Sequence, residues 1–330
     1  QEWGFQGFTV SDYQAITELR TLHHVAGSLD DAAKMALDAG VDLELPDIDA
    51  YGDLVQQVKS GRISMETLDA TVARTLRAKF LAGLFDDPYT DPALAERVTN
   101  SPEHRKLALE SARQAMVLLK NDHDALPLDR NKLKSLAVIG PNADKVLLGG
   151  YSDDPGYAVT VLQGIQAKVG NTVKVVHAEG CRITEPGGGW SVDPVKLPDP
   201  KEDEARVEAA IEVAATADAV VLVLGGNEEV SREAWAANHL GDMDNLQLVG
   251  RQNELVQKVA ALGKPVVVIL LNGRPYSIPW IAGHIPAILE GWYLGQEAGN
   301  AVAVTYGEEV SLAYWLLRKP WAALRRLAGV

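Results

Sequence analysis

Four short apolar runs, rich in Val, Ile and Leu, constrain this chain more than any other feature: residues 136–139, 173–176, 219–224 and 266–271. The first reads as a buried strand that stops at a Gly140-Pro141-Asn142 turn, and the others repeat the pattern downstream. Helical patterns lie between them at 204–216 and 250–262. Strands alternating with helices predict a parallel or mostly parallel α/β sheet. A Gly/Pro-rich stretch at 185–200 interrupts the pattern as a long surface loop, with Gly187, Gly188, Gly189 and Trp190 at its tip. No internal repeat is evident.

The first hundred residues follow the same logic with shorter elements. Residues 8–10, placed after Gly4 and Gly7, predict a buried strand, and Ser11 and Asp12 follow at once. A helix is expected over 30–37, opened by Asp30 and Asp31 and ended by Gly40. Residues 41–45 alternate apolar and acidic as a short strand would, and Pro46 stops them. Helices are expected over 51–59 and 65–81. The second carries Val72, Leu76, Phe80 and Leu81 on one face and ends at Gly83. A further helix is expected over 103–119, and the polar stretch 122–134 with Pro127 reads as a connector.

Composition narrows the function. At roughly 150 residues per domain, 330 residues suggest about two domains. A hydrophobic share of 47% supplies large cores and excludes a disordered tail protein. A formal net charge of −14 argues against nucleic acid or an anionic membrane as the main partner. The lone Cys181 excludes a disulfide framework and a Cys-rich zinc site. No run of eighteen apolar residues marks a membrane span. The sequence starts without Met or a signal-peptide pattern, so the native N-terminus is expected upstream.

In α/β folds, functional groups gather where strands end at their carboxyl edge. Two places qualify. Ser11-Asp12-Tyr13 follows the first strand, where a carboxylate would project from the mouth of a sheet or barrel; the same residues also suit a helix cap or a turn. The second is the stretch from Asn227 to Trp235, which holds Glu228, Glu229, Arg232 and Glu233. It reads either as a solvated loop with a capping pattern or as a carboxylate site, and a Trp beside acids suits the apolar face of a sugar. Gly225-Gly226-Asn227 is neither a GxGxxG motif nor a phosphate loop, which leaves a nucleotide-binding reading little support. His23 and His24 lack partners at ligand spacing, so neither a metal nor an organic cofactor is expected. Cys181, near a loop, is expected to be inert, with no obvious basic partner to lower its pKa.

The stretch Gly4-Phe5-Gln6-Gly7-Phe8-Thr9-Val10-Ser11-Asp12-Tyr13 closely resembles the nucleophile motif of glycoside hydrolase family 3. The order of later motifs is similar to the family as well. They are Ala39-Gly40-Val41-Asp42-Leu43-Glu44, Val72-Ala73-Arg74-Thr75-Leu76, Gly83-Leu84-Phe85-Asp86, Val117-Leu118-Leu119-Lys120-Asn121, Gly273-Arg274-Pro275 and Gly291-Trp292-Tyr293-Leu294-Gly295-Gln296-Glu297. The match runs from residue 1 to about 303 and looks like the two-domain β-glucosidase or β-xylosidase branch.

The resemblance implies the C-terminal portion of a TIM-like barrel domain followed by an α/β sandwich domain with a mostly parallel sheet. Residues 1–97 would be the partial barrel carrying the nucleophile and 98–134 an interdomain linker with one helix. Residues 135–303 would be the sandwich carrying the acid/base loop, and 304–330 a divergent tail. It further implies a retaining β-glycosidase, most simply a β-glucosidase, acting by double displacement at an interdomain cleft. Asp12 would be the nucleophile and Glu233 the acid/base, with Glu229 and Glu228 as alternates. Tyr13 and Ser231 are expected to contact substrate, and the ring chemistry of Trp235 suits an aglycone wall. The substrate would be a β-linked oligosaccharide or an aryl or alkyl glycoside. A periplasmic or extracellular bacterial setting is expected.

Three departures stand out. Tyr13 replaces the family's Trp. The residues that hold glycone hydroxyls lie upstream of this sequence in family members, and two βα units cannot close an eight-stranded barrel. Self-association covering the open barrel, a non-catalytic fragment, and a β-xylosidase or arabinosidase specificity therefore stand as alternatives. Beyond residue 303 the sequence leaves the family pattern and turns net basic, and a reading-frame shift or divergent end, with the family's fibronectin-like third domain missing, is the expectation there.

Overall fold

The computed structural model of the chain describes residues 4–186, 195–231 and 243–304. Glu233, Trp235, the Gly187–Trp190 loop tip and the tail beyond 304 lie outside the described residues. The chain forms two compact units, the first ending at Ala95 and the second beginning at Glu96.

The first unit opens with β1 (Val10–Tyr13), α1 (Ala15–Thr21), α2 (Leu29–Ala39) and β2 (Leu43–Leu45), and continues with α3 (Leu54–Lys59) and α4 (Met65–Leu81). β1 and β2 pair in parallel, Val10 opposite Leu43 and Tyr13 opposite Leu45. α2 is tightly specified. The Ser28 hydroxyl accepts the Asp31 N–H at its start, and Gly40, at φ +93°, ends it. Its core is small, built on Ile16, Ala26, Ala32, Ala33, Ala36 and Ala50.

Two expectations change here. The strand expected at 8–10 instead spans Val10–Tyr13 and is largely exposed, so Ser11, Asp12 and Tyr13 lie in the strand rather than after it. With only β2 beside it, β1 has little to bury against among the described residues. Helix α4 forms as its pattern predicts, yet Val72, Leu76, Phe80 and Leu81 face solvent. Periodicity sets the helix; burial needs a partner layer as well.

α5 (Pro92–Val98) carries the boundary, and α6 (Pro102–Ala115) and β3 (Val117–Asn121) follow. The expected helix over 103–119 stops at Ala115 because Met116 turns extended and the next five residues pair with a sheet edge. Three consecutive apolar residues, Val117, Leu118 and Leu119, fit either period, and tertiary pairing decides between them.

The remaining elements are β4 (Ser135–Ile139), α7 (Val161–Val169), β5 (Lys174–Ala178), α8 (Pro200–Ala215), β6 (Ala219–Gly225), α9 (Gln252–Ala260), β7 (Val266–Leu271), α10 (Pro279–His284), β8 (Ala287–Glu290) and α11 (Ala298–Val304). They build one six-stranded sheet in the order β3-β8-β7-β6-β4-β5. All neighbours are parallel except β3 against β8.

Side-chain alternation splits this sheet into two cores. Leu136, Val138, Val221, Val223, Val267 and Ile269 pack with α6, α7 and α11. Ala137, Ile139, Val220, Leu222, Val268 and Leu270 pack with α8, α9 and α10. Each fully buried Val, Leu or Ile side chain contributes about 1.5–3 kcal/mol, which makes this double layer the stable body of the second unit. The connections run from β4 outward to β5, then back across β4 to β6. The winding therefore reverses between β4 and β6, where open α/β sheets place their ligand crevices.

Candidate active site

In the first unit the site is the exit of β1. The Ser11 hydroxyl accepts the Leu45 N–H at 3.0 Å, and the Gln14 N–H donates to the Leu45 carbonyl at 2.8 Å. These two bonds tie the end of β1 to β2. Neither Ser11 nor Asp12 caps α1, because the N-cap position belongs to Gln14 and has no side-chain cap. The Asp12 carboxylate is exposed, and its Oδ1 accepts the N–H of Tyr13 at 2.7 Å. Tyr13 is exposed beside it. Asp12 thus presents a carboxylate on a strand that is tied to β2 just before and just after it in sequence.

The groups that fix it were not singled out by the sequence. In the alternating stretch 41–45 the acids are buried and the leucines exposed, the reverse of the usual pattern. Asp42 accepts the Thr9 N–H at 2.9 Å and takes Arg74 Nε and Nη2 at 2.9 and 2.6 Å on Oδ1. Glu44 accepts the N–H groups of Ala50 and Tyr51 at 3.0 and 2.7 Å. The Tyr51 hydroxyl donates to the Val41 carbonyl at 2.7 Å. Burial, with the Glu44 and Asp42 charges nearby, pushes this phenol far above its ordinary range. An alternating strand that buries its acids is braced by them.

In the second unit the candidate groups sit at the carboxyl edge of the sheet. β6 ends at Gly225, where φ is +130° and a Cβ would overlap the Leu271 carbonyl. Gln252, fully buried, accepts the Gly225 N–H at 2.8 Å and donates to the Gly225 carbonyl at 2.9 Å. Asn142 Nδ2 donates to the carbonyls of Gly226 and Leu271 at 3.0 and 3.1 Å. Two buried amides therefore hold the strand end from which the acidic loop departs.

On that loop Asn227 behaves as the capping pattern predicts, accepting the Val230 N–H at 3.2 Å. Its Nδ2 donates to the Thr184 hydroxyl at 2.7 Å. Glu228 Oε1 accepts the Gly149 N–H at 2.9 Å. The Ser231 hydroxyl donates to the Asn227 carbonyl at 2.7 Å and lies 3.4 Å from the Tyr293 hydroxyl. Burial lifts the Tyr293 phenol to about 12, against the opposing hydrogen bond to Ser231. Glu228 and Glu229 both line a cavity of about 290 Å³.

At the end of β8, Glu290 is buried, and burial raises its carboxyl pKa. It accepts the Trp292 N–H at 2.9 Å and Asn272 Nδ2 at 3.2 Å. Trp292 takes a left-handed φ of +56° and keeps about a third of its surface exposed. Cys181 is fully buried, and burial raises its thiol far above the ordinary range, in line with the inert role expected for it. Of the sequence-derived site residues, Asp12 and Tyr13 lie together on β1, and Ser231, Glu228 and Glu229 on one loop.

Comparison with known proteins fixes the family. Residues 116–309 match the glycosyl hydrolase family 3 C-terminal domain, and residues 1–78 match the family 3 N-terminal domain. The chain belongs to glycosyl hydrolase family 3. A family 3 relative, the β-xylosidase of Formosa agariphila, is 41% identical over 93% of this chain and 42% of its own length. The periplasmic β-glucosidase of Salmonella typhimurium is 38% identical over 93% of this chain and 41% of its own. A solved β-glucosidase from Erythrobacter marinus superposes with a TM-score of 0.86 at 40% identity, covering 93% of this chain and 42% of that one. The chain thus spans about two fifths of the length of the relatives it matches. The six-stranded sheet corresponds to the family's C-terminal α/β sandwich. Among the described residues no helix is long and apolar enough to cross a membrane.

Proposed function

We propose that this chain is the catalytic-residue-bearing part of a retaining β-glycosidase, with a terminal β-D-glucosyl residue as its preferred glycone. Support comes from family membership in both units together with the exposed Asp12 carboxylate on a braced strand. In this reading residues 1–97 are the closing part of the barrel and 135–303 the sandwich.

The chemistry is a double displacement. Asp12 attacks the anomeric carbon as the glycosidic C–O bond breaks, and a second carboxyl gives its proton to the departing oxygen. The same carboxylate then takes a proton from water, which attacks the anomeric carbon and releases Asp12. We assign this second role to Glu233, with Glu229 and Glu228 as alternates. Retention requires roughly 5–5.5 Å between the two carboxyl groups. Tyr13, Ser231 and Trp235 would contact the sugar. A β-xyloside is the second reading, favoured by the 41% identity to a β-xylosidase.

The test is hydrolysis of aryl β-glucosides and β-xylosides by the full chain, with Asp12→Asn in parallel. Turnover that falls at least about a thousandfold in the variant supports the proposal. Equal background rates in both proteins would refute activity of this chain, and a higher kcat/KM on the xyloside would reverse the choice of sugar.

A further inference from the structure

The two strands of the first unit fall out of step beside Asp12. Val10 lies opposite Leu43 and Tyr13 opposite Leu45, so three steps along β1 match two along β2. The extra residue makes a β-bulge, which turns a side chain out of the regular alternation and is over-represented next to active sites. Ser11 and Asp12 are the two residues of β1 between the matched pairs.

Leu45 holds this irregular stretch through both of its backbone polar atoms. Its N–H donates to the Ser11 hydroxyl at 3.0 Å, and its carbonyl accepts the Gln14 N–H at 2.8 Å. Gln14 sits at φ +60°, a left-handed conformation that residues other than glycine adopt only where their surroundings impose it. Asp12 is therefore bracketed by one tie at the residue before it and one at the second residue after it. Inside the bracket the Tyr13 N–H donates to Asp12 Oδ1 at 2.7 Å, which limits the rotation of the carboxylate. The Gln14 tie is backbone and survives any substitution that leaves a backbone N–H. The Ser11 tie is a side chain, and α1 does not use it as a cap, since Gln14 holds the N-cap position.

We infer that Ser11 is a positioning residue for Asp12: its hydroxyl spans the bulge to Leu45 and keeps the carboxylate in the orientation that the Tyr13 N–H sets. That this orientation serves attack on an anomeric carbon rests on the glycosidase reading; the coupling from Ser11 to the Asp12 carboxylate does not. A reacting group misplaced by about 1 Å costs on the order of a hundredfold in rate. A single hydrogen bond at an exposed strand end controls less than that, about tenfold.

Two readouts on the full chain test this, each in wild type, Ser11→Ala and Ser11→Thr. The first is hydrogen exchange of the Tyr13 amide, followed by NMR, a bond in which Ser11 takes no part. Ser11→Ala is expected to speed that exchange about tenfold while the amides of α2 change less than about twofold. Ser11→Thr keeps the hydroxyl and is expected to restore the wild-type rate. The second is hydrolysis of an aryl β-glucoside, where Ser11→Ala is expected to lower kcat about tenfold at a nearly constant KM, again restored by Ser11→Thr. Unchanged Tyr13 exchange in Ser11→Ala would overturn the inference, as would equal acceleration throughout α2, which marks general loosening of the unit. So would a rate loss carried by KM, or a Thr variant no better than Ala. Absent turnover in wild type, with the Tyr13 effect present, would fail the glycosidase reading alone. Turnover that depends on Asp12, with kcat unchanged in Ser11→Ala, would fail this inference alone.

Discussion

Arg74 grips Asp42 through Nε and Nη2, and Asp42 in turn holds the backbone N–H of Thr9, three residues before Asp12. The pair is lopsided in exposure. The Asp42 side chain is 1% exposed and that of Arg74 32%.

That asymmetry predicts an order of damage. Arg74→Met strands a buried carboxylate, whereas Asp42→Asn leaves a guanidinium that can still reach water. Breaking a fully buried pair costs about 3–5 kcal/mol, and the exposure of Arg74 reduces this to about 2–3 kcal/mol here. Urea unfolding should therefore show a larger loss for Arg74→Met than for Asp42→Asn. The opposite order would mean that the guanidinium, not the carboxylate, is the group in need of its partner.

Glu290 predicts a pH dependence. Burial raises its folded pKa above the ordinary 4.5, so the native state binds its proton more readily than the unfolded chain. Its contribution to stability is therefore fully present below the unfolded value and lost as pH rises through the folded one. The stability difference between wild type and Glu290→Gln should shift in favour of wild type as pH falls from neutral toward 4.5. Urea midpoints measured across that range check it, and a pH-independent difference would contradict the expectation.

Two glycines separate conformation from contact. Gly225 and Gly263 both have positive φ, but a Cβ on Gly225 would overlap the Leu271 carbonyl, while Gly263 faces open space. Gly263→Ala should cost only the left-handed penalty, about 1–2 kcal/mol. Gly225→Ala should cost distinctly more, since the β6–β7 backbone must move as well. Thermal midpoints of the two variants decide the point, and equal losses would show that the strand end adapts.

How much of this was legible in the sequence depended on how each segment resolves its polarity. β4, β6 and β7 were readable because continuous Val, Ile and Leu runs ending near glycine fit few structures other than buried strands. β3 was hidden inside a helical pattern, since Val117, Leu118 and Leu119 carry no distinctive period. β8 is only four residues long and follows Pro286. The acidic positions of β2 gave the strand but inverted its faces, because their buried partners, Arg74 and the N–H groups of Thr9, Ala50 and Tyr51, are distant in sequence or ordinary backbone. A strand near Asp12 was legible, but its bounds were not: the structure places Asp12 within β1 and not after it, and its proposed role came from the resemblance to the family. Asn142 and Gln252 gave no signal, since an amide in a turn or at a helix start reads the same whether or not it is buried.

Gln252 has a consequence for how this protein can change. Its amide meets the N–H and C=O of Gly225 as a neighbouring strand would, so β6 closes its ladder on a side chain. The residues that follow Gly225 as far as Ser231 therefore leave the sheet from a point held by a side chain, so substitutions in that short stretch would act on the edge without reaching the β6–β7 ladder.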